Sequence, residues 1–125
     1  MSIYESGEDY LEMILMLSRR KAQVRSIDIA HELDVSKPSV SVAMKKLRES
    51  GYIVVDADGA ISLTDDGRII AERMLERHTV LTQLLVSLGV SEETARTDAC
   101  KIEHDLSEES FEAIRAYAGR IARRD

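Results

Sequence analysis

The chain has 125 residues, a net charge of −6, one cysteine and no tryptophan. With 44% apolar residues it can form one compact domain or two small halves, and none of its apolar runs approaches the roughly 20 residues of a membrane-spanning helix. A single cysteine excludes an internal disulfide, and the N-terminus lacks the apolar stretch of a signal peptide. We therefore expect a cytoplasmic protein without a membrane partner.

The charge is distributed unevenly along the chain. Residues 1–50 carry eight basic and eight acidic side chains, whereas residues 51–125 carry nine basic and fifteen acidic ones. All eight basic side chains of the first half lie between Arg19 and Arg48, a span with only three acidic side chains. This positive segment favours a nucleic-acid partner despite the negative total charge.

Two helices are predicted at the start of the chain. Residues 4–21 have apolar side chains at a helical period, with Ser6 as the predicted cap. A short helix follows over residues 26–35, with Ser26 as its predicted N-cap and Ile27 on its inward face.

The third predicted helix covers residues 36–51. Ser36 is a typical N-cap residue, Pro38 is tolerated in the first turn, and Gly51 is typical of the position that follows a helix end. Two short helices joined by a tight connection form a helix-turn-helix.

Residues 52–63 follow with two short apolar stretches around Asp58-Gly59, which is a strong signal for a β-hairpin. A hairpin directly after a helix-turn-helix forms a winged helix. We predict a winged-helix DNA-binding domain at residues 1–63, with a two-stranded wing.

The second half is predicted to contain helices only. They cover residues 64–90, 91–106 and 107–124 and begin with Thr64, Ser91 and Ser107 as the predicted caps. Tyr117 is placed on the inward face of the last helix. Amphipathic helices without a sheet need a surface to cover them, and a second copy of the chain is the simplest one. We predict a mainly α protein, in which residues 64–125 form an all-helical dimerisation domain.

The third helix is the predicted DNA-reading element, because hydroxyl and ammonium groups near a helix N-terminus suit contacts with phosphates and base edges. A solvated helix face would show the same residue types. The predicted DNA-binding residues are Arg25, Ser36, Lys37, Pro38, Ser39, Ser41, Lys45 and Lys46.

A second candidate site lies in the segment "DACKIEHDLS", residues 98–107. Cys100, Glu103 and His104 stand at positions i, i+3 and i+4, so on a helix they share one face. Thiolate, carboxylate and imidazole groups together can bind a transition metal. The alternatives are a buried small cysteine and a solvated helix face.

Three segments resemble the diphtheria toxin repressor and manganese transport regulator family: "EDYLEMI", "ERHTVL" and "CKIEHDLS", in this order and around a winged helix. The resemblance implies a dimeric transcriptional repressor that a metal ion activates. It also implies which residues bind the metal: Asp9, Glu12, His78, Cys100, Glu103 and His104.

The metal preference is mixed, because the family's iron branch has methionine at the place of Asp9 but shares the cysteine, whereas its manganese branch shares the aspartate. Thr82 and Arg96 stand where the iron branch has ligands of an additional site. The resemblance also predicts a short form without the SH3-like third domain. We expect Fe²⁺ or Mn²⁺, with Fe²⁺ slightly favoured because thiolates prefer softer ions.

We thus predict a metal-dependent repressor that binds operator DNA as a homodimer through its C-terminal helices and controls metal-ion homeostasis. The predicted switch is electrostatic: Asp9, Glu12 and Glu103 repel one another until a divalent cation holds them together. The main alternative is a winged-helix transcription factor that senses a small non-metal ligand. An enzyme is not expected, because no general base remains outside the proposed ligands.

Overall fold

The computed structural model describes residues 5–124, and side chains from residue 6 to residue 121. The elements follow the chain as α1 (Glu5–Ser18), α2 (Ser26–Leu33), α3 (Lys37–Glu49), β1 (Ile53–Val55), β2 (Ile61–Leu63), α4 (Asp65–Ser87), α5 (Glu92–Ile102) and α6 (Glu108–Arg124). The predicted fold class, mainly α with a two-stranded wing and a helical second half, is confirmed. Within the described residues, no helix is long and apolar enough to cross a membrane.

The chain divides into two compact units, Met1–Arg73 and Met74–Asp125, with the boundary inside α4. The predicted domain boundary after residue 63 coincides with the start of α4 and stays a prediction. Each unit is described below by itself.

In the first unit, α1 packs against α2, α3 and β2, and α3 packs against α2 and β1. Its core is aliphatic, as the scarcity of aromatic residues requires. The most deeply buried side chains include Leu11, Ile14, Ile29, Val40 and Ile53.

The two ends of α3 are formed by the residues that the sequence predicts. The Ser36 Oγ atom accepts a hydrogen bond from the Ser39 amide at 3.2 Å, and Pro38 lies in the first turn, where no intrahelical amide bond is lost. Gly51 follows the C-cap residue with φ of +83°, a backbone conformation that favours glycine. The predicted helix-turn-helix is therefore confirmed, together with both predicted ends of α3.

The predicted start of α2 is wrong by one residue. Arg25, not Ser26, is the N-cap, and the Asp28 carboxylate accepts hydrogen bonds from the Arg25 amide at 2.9 Å and from Lys21 Nζ at 2.6 Å. These contacts, chiefly the one with Lys21, hold the pKa of Asp28 below its usual value. Because Asp28 accepts the hydrogen bond of the amide at the helix start, a serine cap is not needed. Ile27 is 53% exposed, so its predicted inward position is also wrong.

Ser6 also lies inside a helix, as the second residue of α1, so the predicted cap at this position is wrong. Asp9 is therefore an interior residue of α1.

The wing is an antiparallel hairpin in which Val54 pairs with Ser62, and Gly59 has φ of +85° in its turn. The Thr64 hydroxyl donates to the Gly51 carbonyl at 2.7 Å and accepts from the Gly67 amide at 3.1 Å, so the predicted Thr64 cap of α4 is present. Gly67 packs so closely that a Cβ atom would lie 2.0 Å from the Tyr52 carbonyl oxygen. These contacts join the wing to the start of α4.

In the second unit, Ser91 caps α5 and Ser107 caps α6, as predicted. Leu81, Ala95, Ala99 and Phe111 are buried. Burial decreases along α6, however, and Tyr117 is 53% exposed, so its predicted inward position is wrong. A helical period identifies the apolar face of α6 but not how far along the helix other residues cover it.

Candidate metal centre and nucleic-acid interface

Glu103 is the most deeply buried acidic side chain in the described part of the chain, with an exposed fraction of 0%. Its Oε2 atom accepts a hydrogen bond from His78 Nδ1 at 3.1 Å. The Oε1 atom is 3.6 Å from His104 Nε2 and has no hydrogen-bond partner among the described residues. A buried carboxylate with one oxygen outside any hydrogen bond is costly to keep ionised, unless positive charge lies nearby.

Two helices of the second unit bring these groups together. His78 lies on α4, Cys100 lies in the last turns of α5, and Glu103 is the C-cap residue of α5. Ligand atoms of Cys100 and Glu103 lie within 4.8 Å of each other, as do those of His78 and Glu103.

The predicted single helical face for Cys100, Glu103 and His104 is only partly correct. Helix α5 ends at Ile102, and His104 lies in the turn that follows. Glu103 keeps helical dihedral angles (φ −58°, ψ −26°), so its carboxylate continues the face on which Cys100 lies. The trio therefore surrounds a helix end instead of lying along a helix.

The second unit thus places two imidazoles and one thiol around the Glu103 carboxylate. These donors suit a divalent first-row transition metal, and the uncompensated Glu103 oxygen supplies the negative charge that such an ion needs. Cys100 is exposed, which argues against its alternative role as a buried small hydrophobe.

Asp9 and Glu12, the two remaining predicted ligands, belong to α1 in the first unit. They are spaced i, i+3 and therefore share one face of the helix. Glu12 is only 7% exposed, which is unusual for a glutamate.

The predicted DNA-binding residues of α3 and its cap are all exposed: Ser36, Lys37, Pro38, Ser39, Ser41, Lys45 and Lys46. Arg25 differs, because it is half-buried and donates hydrogen bonds to the Asp58 carbonyl in the wing turn and to Gln23. Its guanidinium thus connects the start of α2 with the wing.

Sequence reasoning missed two residues. Val42 is 56% exposed on α3, among the predicted DNA-binding residues. The buried stripe of Val40, Met44 and Leu47 excludes Val42, so the period alone could have identified it. Arg77, the residue before His78, is only 4% exposed, and no sequence pattern indicates that an arginine is buried there.

Both halves of the chain match known families. Residues 2–61 match the family described as "Iron dependent repressor, N-terminal DNA binding domain", and residues 64–124 match "Iron dependent repressor, metal binding and dimerisation domain". The transcriptional regulator MntR of Escherichia coli O6:H1 (strain CFT073) is 38% identical over 110 residues, which cover 88% of this chain and 71% of that protein.

Solved structures give the same relationship. The manganese regulator SloR has a TM-score of 0.82 at 28% identity over 95% of this chain, and a manganese-dependent transcriptional repressor in complex with manganese has a TM-score of 0.83 at 31% identity over 90%. This chain spans about half the length of those two proteins, 55% and 52%. From the matches of both halves and the MntR similarity, the chain belongs to the iron-dependent repressor family of metal-dependent transcriptional regulators.

Proposed function

We propose that the protein represses transcription by binding operator DNA as a homodimer when it holds Fe²⁺ or Mn²⁺. The observation that carries this proposal is the fully buried Glu103 carboxylate, which has one oxygen without a hydrogen bond and an imidazole near each oxygen. Together with family membership, this supports a cation as the missing partner.

The proposed ligands are the six residues that the sequence predicts: Asp9, Glu12, His78, Cys100, Glu103 and His104. The short distances around Glu103 support the four ligands of the second unit. The resemblance of α1 to the family, together with the burial of Glu12, supports the other two. A bound ion would supply the positive charge that three carboxylates and a thiolate need.

The proposed switch follows from the charges of these residues. Two like charges about 4 Å apart repel by about 4 kcal/mol at an effective dielectric of about 20. The carboxylates of Asp9, Glu12 and Glu103 therefore oppose being brought together unless their charge is neutralised. Because the proposed ligands come from both units, metal binding would be coupled to how the DNA-binding unit is held.

We place the DNA contact on the exposed face of α3. The ammonium groups of Lys37, Lys45 and Lys46 would contact phosphates, and the start of the helix presents amide groups that suit the same contact. Val42 offers an apolar group to the methyl group of a thymine in the major groove. Arg25 would act mainly by holding the wing in place.

The helices of the second unit are the proposed dimer interface. The family match for residues 64–124 includes dimerisation, and Val86, Leu88 and Tyr117 are large apolar side chains with exposed fractions of 43%, 68% and 53%. A twofold dimer would place two α3 helices about 34 Å apart, the spacing of successive major grooves. A DNA partner also supports the proposed cytoplasmic location.

The choice between Fe²⁺ and Mn²⁺ depends on Cys100. A thiolate favours Fe²⁺, whereas the oxygen and nitrogen ligands accept Mn²⁺ as well. The relatives named for manganese support activation by Mn²⁺ too. We propose that both ions activate the protein and that Fe²⁺ does so at lower concentration.

The proposed function is tested by DNA binding with and without metal. We expect chelator-treated protein to bind a duplex, selected from a random library by the Mn²⁺-loaded protein, at least tenfold more weakly than metal-loaded protein. Tenfold corresponds to a coupling of about 1.4 kcal/mol. Affinities are measured anaerobically at one fixed salt concentration, because phosphate contacts alone make affinity depend on salt. Equal affinity in both states contradicts the proposal.

Replacing Glu103 with glutamine separates a metal ligand from a structural ion pair. We expect Glu103→Gln to keep or raise the melting temperature of metal-free protein, because a buried charge is removed. The stabilisation by Mn²⁺ should be lost, whereas wild type should gain about 2.7 kcal/mol at a metal concentration of about 100 times Kd. If the variant is less stable without metal but keeps its stabilisation by Mn²⁺, Glu103 has a structural role only.

Single lysine variants test the DNA face. Lys37→Ala and Lys46→Ala should weaken binding to all duplexes and reduce the salt dependence by about one phosphate contact each. Arg120→Ala is the matched control, because Arg120 is exposed on α6 in the second unit. A larger loss for Arg120→Ala would show that DNA binds elsewhere.

The Cys100→Glu variant tests the metal preference. It replaces the thiolate with a carboxylate, so we expect the ion that activates best to change from Fe²⁺ to Mn²⁺. Activation of DNA binding is titrated anaerobically with each ion for both proteins. An unchanged ranking, or a wild type that already prefers Mn²⁺, would mean that Cys100 does not select the metal.

A further inference from the structure

Arg77 is a buried cation beside the candidate metal centre. Its side chain is 5% exposed, and it directly precedes His78 on α4. One guanidinium nitrogen, Nη1, donates to two backbone carbonyls, those of Glu103 at 3.0 Å and Leu106 at 2.7 Å. The other, Nη2, donates to the Glu108 carboxylate at 3.0 Å.

The guanidinium also lies over the ring of Phe111, 5.1 Å from its centroid. A single side chain on α4 therefore contacts the end of α5, the connection that follows it and the first turns of α6. Burying an arginine is costly, and a well-packed apolar residue often stabilises a fold equally well. Stability alone is thus a weak reason for a cation at this position.

The two carbonyls that Arg77 binds belong to residues at the two ends of one turn. This turn, Glu103 to Leu106, contains His104, so two proposed ligands lie on backbone that Arg77 holds from both sides. A third proposed ligand, His78, is the neighbour of Arg77 on α4. Because this turn is anchored, the Cα atoms of Glu103 and His104 are held in fixed positions relative to His78.

We propose that Arg77 is a positioning residue of the metal centre, which holds the turn carrying Glu103 and His104 in its ligand geometry before an ion binds. This inference rests on the proposed metal site. Residues that orient ligands in this way commonly change metal affinity by about 10- to 100-fold when replaced. Lysine cannot substitute, because one ammonium group lacks the planar set of donors that reaches two carbonyls and a carboxylate together.

The test measures metal affinity directly, without DNA. Mn²⁺ binding is followed by the electron paramagnetic resonance signal of unbound Mn²⁺, and the Co²⁺ complex is followed by its visible absorption. We expect Arg77→Lys to bind Mn²⁺ about 10- to 100-fold more weakly than wild type and to give an altered Co²⁺ spectrum. Arg77→Lys within threefold of wild type, with the same Co²⁺ spectrum, overturns the proposal.

Two control variants separate positioning from general stability. Glu108→Ala removes the ion pair but keeps both carbonyl contacts, so it should bind Mn²⁺ within threefold of wild type. Leu81→Ala destabilises the same unit through its core and should likewise retain affinity at temperatures where it is folded. If Leu81→Ala loses as much affinity as Arg77→Lys, the role of Arg77 is structural only.

A measurement on the unchanged protein covers the case in which Arg77→Lys does not fold. Backbone amide order parameters of residues 103–106 in metal-free wild type should be about 0.85, as in rigid structure, and values below about 0.6 overturn the proposal. A wild type that binds neither Mn²⁺ nor Co²⁺ contradicts the proposed function itself, which distinguishes the two failures.

Discussion

Glu103 holds a carboxylate where water does not reach it, and only one of its oxygens accepts a hydrogen bond from a described residue. An ionised group in this position is costly unless positive charge lies nearby. His78 and His104 are the neighbours that can supply it, either as imidazolium groups or by sharing a cation with Glu103. The nitrogen, oxygen and sulfur donors around this carboxylate support the proposed shared cation.

The end of α5 and a buried side chain of α4 surround this group. Helix α5 is short and ends at Ile102, so that Glu103 and His104 occupy the helix end and the following turn, and Arg77 anchors that turn through backbone carbonyls. Up to residue 121, the unit has few buried large apolar side chains, whereas Leu88 and Tyr117 remain exposed. A metal ion and a second copy of the chain would supply the stabilisation that this small core lacks.

The sequence predicted those parts of the fold that depend on local chemistry. Ser36 and Thr64 cap helices through their own hydroxyls, and Gly59 adopts the positive φ that its turn requires, so residue type alone indicates these positions. The predicted start of α2 is wrong because the Asp28 carboxylate accepts a hydrogen bond from the Arg25 amide, and Arg25 is therefore the N-cap. The preference of serine for N-cap positions, which predicted Ser26, contains no information about that contact.

The candidate site shows the same division. Spacing and resemblance predicted the ligand types, and the structure brings His78, Cys100 and His104 close to the Glu103 carboxylate. The burial of Arg77 was not predictable, because it depends on carbonyls and a ring that lie 26 to 34 positions further along the chain. Long-range contacts of this kind have no local signature.

We propose that metal and DNA bind to coupled sites of one molecule. Coupling between two binding sites is reciprocal, so DNA must raise metal affinity by the same factor by which metal raises DNA affinity. The direct measurement is the Mn²⁺ dissociation constant of the wild type with and without a saturating amount of the selected duplex, at one salt concentration. We predict that the duplex lowers this constant at least tenfold. An unchanged constant would contradict the account, whatever the affinity of the protein for DNA.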